Sequence, residues 1–174
     1  HAAHTARQVG QHTLLGSQGR SIVSVALDLA DEVTEKDWPT RRALVFGTGA
    51  YAGATIAALR DRGCIDIWVN SRSGRAPEFA AKRDVFAVPE GGMEQAMAEA
   101  DLIIGCSGGS APLQPEQIPA GHHTILDLAL SRDFDPSVAD LPNVELITLE
   151  SVRLAAPEET EEAVATALRI VESE

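Results

Sequence analysis

Short apolar runs alternate with helical repeats along most of this chain, and that alternation predicts its elements. From Ser21 onward apolar residues recur at Ile22, Val25, Ala26, Leu29, Ala30 and Val33. This spacing marks one face of a helix, closed by Asp37-Trp38-Pro39. Ala43 to Phe46 then reads as a buried strand, and Ile56, Ala57 and Leu59 as the inner face of the next helix. Ile65 to Val69 is a second strand. Arg75 to Arg83 predicts a short helix, and Val85 to Val88 a third strand stopped by Pro89. Gly91 to Ala100 predicts a helix turning Met93, Ala96 and Met97 inward. Asp101 to Cys106 is apolar enough for a strand buried on both faces. Thr124 to Ala129 and Val144 to Leu149 complete six strands. Pro157 to Glu174 predicts a long helix with an acidic first turn and a stripe at Ala163, Val164, Ala167, Leu168 and Val171. Strands alternating with helical crossovers predict an α/β fold: a doubly wound, Rossmann-type parallel sheet with flanking helices, in strand order 3-2-1-4-5-6. The chain divides into a lead-in over 1–20, a dinucleotide-binding domain over 21–153 and a C-terminal helix over 157–174.

The chemistry concentrates where the first strand ends. Gly47-Thr48-Gly49-Ala50-Tyr51-Ala52 follows the apolar run directly, with Gly53 next. Gly47 lets the chain leave the strand in a tight turn. Gly49 lets the backbone approach a pyrophosphate, and the small Ala52 and Gly53 let the new helix pack close to the strand. The free N–H groups of that helix start face the anion. An ordinary strand-to-helix turn has a similar composition; the flanking strand, helix and second strand favour the nucleotide site. All six residues from Gly47 to Ala52 are candidates for cofactor contact.

The second strand runs into Asn70-Ser71-Arg72-Ser73-Gly74-Arg75. NAD-preferring domains place a carboxylate here, on the ribose 2′-hydroxyl. A carboxylate would repel a 2′-phosphate, whereas hydroxyls and the Arg72 guanidinium would hold one. The cofactor is therefore read as NADP(H), with Asn70, Ser71, Arg72 and Arg75 as candidates. The plainer alternative is a helix start with solvated arginines. Ser107, in the loop after the fourth strand, and Ala129, at the end of the fifth, complete the candidate set, because ligands of this fold lie beyond the carboxyl ends of the strands. Asp127, inside an apolar strand, requires a hydrogen-bonding partner; it orients nearby loops or satisfies backbone N–H groups. Arg132, Asp133 and Asp135 read as a turn held by side-chain hydrogen bonds, and His122 and His123 as an exposed loop pair.

Composition narrows the rest. The chain has 174 residues, 44% of them hydrophobic and 4% aromatic, so it can build an aliphatic core. A net charge of −12 argues against this piece holding a nucleic-acid backbone by itself. Cys64 and Cys106 have no C-x-x-C spacing, which suits a reducing, cytoplasmic compartment. Cys106 reads as an inert buried thiol, since no motif marks a base to activate it. His1, His4 and His12 have no accompanying ligand cluster, so no metal site is expected. No apolar run approaches the roughly 18 residues that span a membrane.

With these residues laid out, the chain resembles the NADPH-binding domain of glutamyl-tRNA reductases. The likeness lies in the glycine turn, in Asn70-Ser71-Arg72, in Ala100 to Ile104 with Ser107 and Ala111-Pro112, and most specifically in Leu126-Asp127-Leu128-Ala129-Leu130-Ser131-Arg132-Asp133-Phe134-Asp135-Pro136. Order and spacing agree from about Ser21 to Val152. The resemblance implies an enzyme that forms a thioester from glutamyl-tRNA and reduces it with NADPH to glutamate-1-semialdehyde, starting tetrapyrrole (porphyrin) synthesis. It also implies a homodimer formed through a C-terminal domain. The family's Cys-Asn-Arg motif does not occur here, so no catalytic residue is expected in this chain. Glutamyl-tRNA would be met through a separate catalytic domain, and the chain alone would be inactive. An NADP-linked dehydrogenase of shikimate dehydrogenase type and a non-catalytic NADP-sensing module are the alternatives.

Overall fold

The computed structural model of the chain describes residues 22–108 and 111–156. The lead-in with its histidines and the helix expected over 157–174 lie outside the described residues. A first helix, α1 (22–33), precedes the sheet. Next come β1 (Arg42–Phe46), α2 (Ala50–Asp61), β2 (Asp66–Asn70), α3 (Ala76–Arg83), β3 (Phe86–Ala87), α4 (Met93–Glu99), β4 (Leu102–Gly105), β5 (His123–Asp127), β6 (Val144–Thr148) and α5 (Leu149–Ala155). All strands are parallel, in the order β3-β2-β1-β4-β5-β6. This is the expected doubly wound sheet.

Alternation along the strands builds two cores. Ala43 and Val45 of β1 face one side with Leu102, Ile104 and Leu126, against α1, α2, α3 and α5. Leu44 and Phe46 face the other with Ile103 and Ile125, against α4, Phe134 and Val138. Each such Leu or Ile buried from water contributes about 1.5–3 kcal/mol. The aliphatic composition is thus spent on both faces of one sheet.

Several expectations shift. The third strand is only two residues long, because Asp84 turns left-handed at φ 55° and Pro89 follows closely. The buried face of α1 is rotated: Val23 and Leu27 are fully buried with Ile22, Ala26 and Ala30, whereas Val33 is exposed. The second half of the sheet lacks α-helical crossovers among the described residues. Short 3-10 turns at Pro115–Gln117 and Pro136–Asp140 serve instead, each with proline in its first turn. His123 is not part of an exposed pair. It opens β5, is buried, and holds its ring nitrogens 3.1 Å from the carbonyls of Ala100 and Pro119.

Candidate functional site

The strand registers bring three loops out at one level. Phe46 at the end of β1 lies opposite Asn70 of β2 and Gly105 of β4. The Gly47 N–H donates to the Asn70 carbonyl (2.9 Å) and the Cys106 N–H to the Phe46 carbonyl (2.9 Å). Where the chain winds away on either side of β1 and β4, these loops enclose a cleft of about 440 Å³. Its walls include Gly47, Thr48, Gly49, Asn70, Ser71, Arg72 and Ser107, seven of the twelve candidate residues, together with Ser73, Cys106 and Asp133. Ala50, Tyr51, Ala52, Arg75 and Ala129 do not line it. Ala52 is buried in the core. Tyr51 packs against the same core, its hydroxyl buried with no hydrogen-bond partner among the described residues, and burial raises its pKa. Arg75 is an exposed residue preceding α3, and Ala129 borders a separate hollow beside α5.

The glycines divide the work. Gly47 sits at φ +120°, and a Cβ there would stand 3.2 Å from the Cys106 carbonyl carbon. Its small size is required by the fold. Gly49 precedes α2 at φ −84° and ψ −172°, with no side-chain cap on the helix. A Cβ at Gly49 would meet nothing within 4 Å. The protein itself leaves that space open in front of the helix's first N–H groups, which have no intrahelical acceptors. Gly53 has a different neighbour from the one expected: a Cβ there would meet the Arg83 guanidinium at 3.3 Å, not the strand.

On the β2 side, Arg72 is exposed and donates to the Ala111 carbonyl (3.2 Å). The Ser71 and Ser73 hydroxyls lie 2.6 Å apart, and the Ser73 N–H donates to Ser71 Oγ (3.2 Å). The loop thus presents a guanidinium and two hydroxyls; among the described residues of the cleft wall the one carboxylate is Asp133, bonded to the loop after β4. This donor set fits a phosphorylated ribose, and the open space before α2 fits a pyrophosphate.

Beyond β4, Cys106 is half-buried against the cleft, its Sγ 3.4 Å from Thr55 Oγ1. Burial pushes its thiol up to about 12, so it has no thiolate character near neutral pH. Asp127 is buried, and that burial raises its pKa; its carboxylate accepts from the N–H groups of Asp133 and Phe134, both at 3.0 Å. The turn does use side-chain hydrogen bonds, with Asp135 accepting from the Ser137 N–H (3.0 Å) and Oγ (2.6 Å). Asp133 instead reaches out of the turn into the cleft wall. Sequence reasoning missed it as a site residue; Gly105, where any Cβ would collide with Asp133 at 2.7 Å, was the available signal. Among the described residues, no group of three or more His, Cys, Asp or Glu could hold a metal ion. No described helix is long and apolar enough to cross a membrane.

The family described as Shikimate / quinate 5-dehydrogenase matches residues 28–155. The chain belongs to this family. Within it, the resemblance to glutamyl-tRNA reductases holds along nearly the whole sequence. A glutamyl-tRNA reductase of Kocuria rhizophila is 67% identical over 171 residues, covering 98% of this chain and 39% of its own length. One from Micrococcus luteus is 52% identical over 187 residues, covering 98% of this chain and 42% of its own. The chain thus spans about two fifths of these curated relatives. The fold is shared with a glutamyl-tRNA reductase from Methanopyrus kandleri, at a TM-score of 0.68 and 24% identity over 86% of this chain and 40% of that one. A shikimate 5-dehydrogenase from Thermus thermophilus matches at 0.56 and 26% identity, over 85% and 61%.

Proposed function

We propose that this chain is the NADP(H)-binding part of a glutamyl-tRNA reductase, the enzyme that reduces the glutamyl group of glutamyl-tRNA to glutamate-1-semialdehyde for tetrapyrrole synthesis. The observation that carries the cofactor reading is the continuity of one cleft from the open helix start at Gly49 to the Arg72 guanidinium. NADPH, when bound, supplies the hydride. The chain's own residues bind and orient. The first N–H groups of α2 and the Gly47–Gly49 backbone hold the pyrophosphate. Arg72, Ser71 and Ser73 hold the 2′-phosphate, and Asn70 borders the ribose. Ser107 and Cys106 wall the far half of the cleft, where the elevated thiol pKa keeps Cys106 from competing as a nucleophile.

The acyl substrate is carried by a catalytic domain outside this chain, which is why the cleft needs no nucleophile of its own. On the same reading the longer protein is a cytoplasmic homodimer joined through its C-terminal part. A dehydrogenase of shikimate type is the second reading, favoured by the family description. The 67% and 52% identities to glutamyl-tRNA reductases weigh against it.

Calorimetric titration with NADPH and NADH tests the assignment. NADPH binds more tightly, and Arg72→Ala weakens NADPH by roughly ten-fold or more, the scale of a charge-assisted hydrogen bond, while NADH is nearly unchanged. Equal losses for both cofactors would remove the 2′-phosphate from Arg72.

A further inference from the structure

Two carboxylates connect the core of the molecule to the far wall of the cleft. Asp127, at the end of β5, gathers the N–H groups of Asp133 and Phe134, and Phe134 is buried beside Phe46 with ring centroids 5.7 Å apart. The Asp133 side chain then crosses to the loop after β4. Its Oδ2 accepts from the Ser107 N–H (2.9 Å), and its Oδ1 accepts from Ser107 Oγ (2.8 Å) and the Gly108 N–H (2.7 Å). Ser131 Oγ closes the same contact by donating to the Gly108 carbonyl (2.5 Å). The approach leaves no slack, since a Cβ on Gly105 would lie 2.7 Å from Asp133 Cβ and Oδ2. Three donors and no cation satisfy Asp133 among the described residues. These bonds fix a backbone that glycine would otherwise leave free to vary: Ser107 is followed by Gly108, held at φ +56°.

We propose that Asp133 is a positioning residue for the nicotinamide half of the dinucleotide. The proposal rests on the reading that this cleft takes NADP(H). A dinucleotide crosses the sheet where the strand order reverses, so its two halves meet different walls. The adenosine half meets the β2 end, at Asn70 to Ser73. The nicotinamide half meets the β4 end, at Cys106, Ser107 and Asp133. Asp133 acts through the loop it fixes, and its effect is confined to that half. A loop that occupies its binding geometry about one tenth of the time lowers apparent affinity about ten-fold.

The test compares the 174-residue chain with Asp133→Asn, a substitution that keeps the size but replaces one acceptor oxygen with a donor. Each protein is titrated with NADPH and with adenosine 2′,5′-bisphosphate, which carries only the adenosine half. Amide hydrogen exchange is followed at Ser107 and Gly108. The expected result is a loss of about ten-fold in NADPH affinity, less than about two-fold for the bisphosphate, and faster exchange at the two amides with β1 and β4 protection unchanged. Ser107→Ala removes a single donor and leaves the main chain intact; it produces a smaller loss with the same selectivity, and decides the matter should Asp133→Asn fail to fold. Equal losses for both ligands, or no loss for NADPH, overturn the inference and leave the cofactor reading standing. If the unmodified chain binds neither ligand, the cofactor reading falls and this inference falls with it.

Discussion

Gly47 and Gly49 stand two residues apart, yet fold and binding depend on them in different ways. Gly47→Ala places a side chain at φ +120°, 3.2 Å from the Cys106 carbonyl carbon and 3.3 Å from the Cys106 oxygen and the Ser107 nitrogen. These are backbone atoms, fixed by the pairing of β1 with β4. The strained backbone costs about 1–3 kcal/mol, and displacing the neighbouring strand end costs a similar amount. A total of about 2–6 kcal/mol, at a urea dependence of about 2 kcal/mol per molar, lowers the unfolding midpoint by roughly 1–3 M.

Gly49→Ser has the reverse signature. Its backbone is extended, its Cβ meets nothing within 4 Å, and it stands at an uncapped helix start. Serine at that position gains a few tenths of a kcal/mol by capping α2. The same side chain occupies the space in front of the helix's first N–H groups, so NADPH affinity falls about ten-fold or more, at least about 1.4 kcal/mol. Urea unfolding and calorimetry on both variants give a crossed pattern: Gly47→Ala loses stability, whereas Gly49→Ser keeps stability and loses the nucleotide. Full NADPH affinity in Gly49→Ser would place the pyrophosphate away from this turn. Matched destabilisation of the two variants would make Gly49 a folding residue and remove the argument from open space.

Two further outcomes follow from buried groups. With its thiol pushed up to about 12, Cys106 resists iodoacetamide in the folded chain at pH 8, as does Cys64 at about 11, and both react after denaturation; rapid native alkylation of Cys106, read by mass spectrometry, would contradict its assigned inertness. Asp127 has its folded-state pKa raised, chiefly by burial, so the folded state binds the proton more tightly than the unfolded state does. Its contribution to stability is greatest below the ordinary carboxylate range and declines as pH rises through the folded-state value. Asp127→Asn removes that decline, and urea unfolding from pH 4 to 7 detects it; identical pH slopes in the two proteins would refute the assignment.

The features readable in the sequence were those with a period or a steric absolute. Strand order followed from six apolar runs separated by crossovers, and the turn from Gly47, whose conformation excludes other residues. The face of α1 was less legible because Val23 and Leu27 compete with Val25, Leu29 and Val33 for burial, and only the sheet decides between them. Helical crossovers were expected throughout the sheet, whereas 3-10 turns opened by Pro115 and Pro136 connect its second half. The contacts of Asp133 had no mark in its own segment, only the distant Gly105. They join loops 25 and 26 residues apart, and nothing in a turn-forming run states which way a carboxylate will reach. His123 was misread for a related reason: one of its two carbonyl neighbours, Ala100, is 23 residues away, although Pro119 stands only four residues before it.

On the proposed reading, charge placement lets an acidic chain admit an anionic cofactor. The net charge is −12, yet among the described residues the cleft wall contains one carboxylate, Asp133, and that one is covered by Ser107 and Gly108. Other acids are paired well away from it, as Asp66 and Glu99 are with Arg42, Asp101 with Lys36 and Asp28 with Arg62. A dinucleotide with its charge inside the cleft meets N–H groups and Arg72. A polynucleotide spread over the surface meets unbalanced negative charge, which disfavours binding. On the proposed reading, recognition of the tRNA therefore lies in the part of the protein outside this chain, and the cleft supplies the nucleotide half alone. On that same reading, the division would account for a family match described by shikimate dehydrogenases: a common half for binding the dinucleotide, joined to a different half for the substrate.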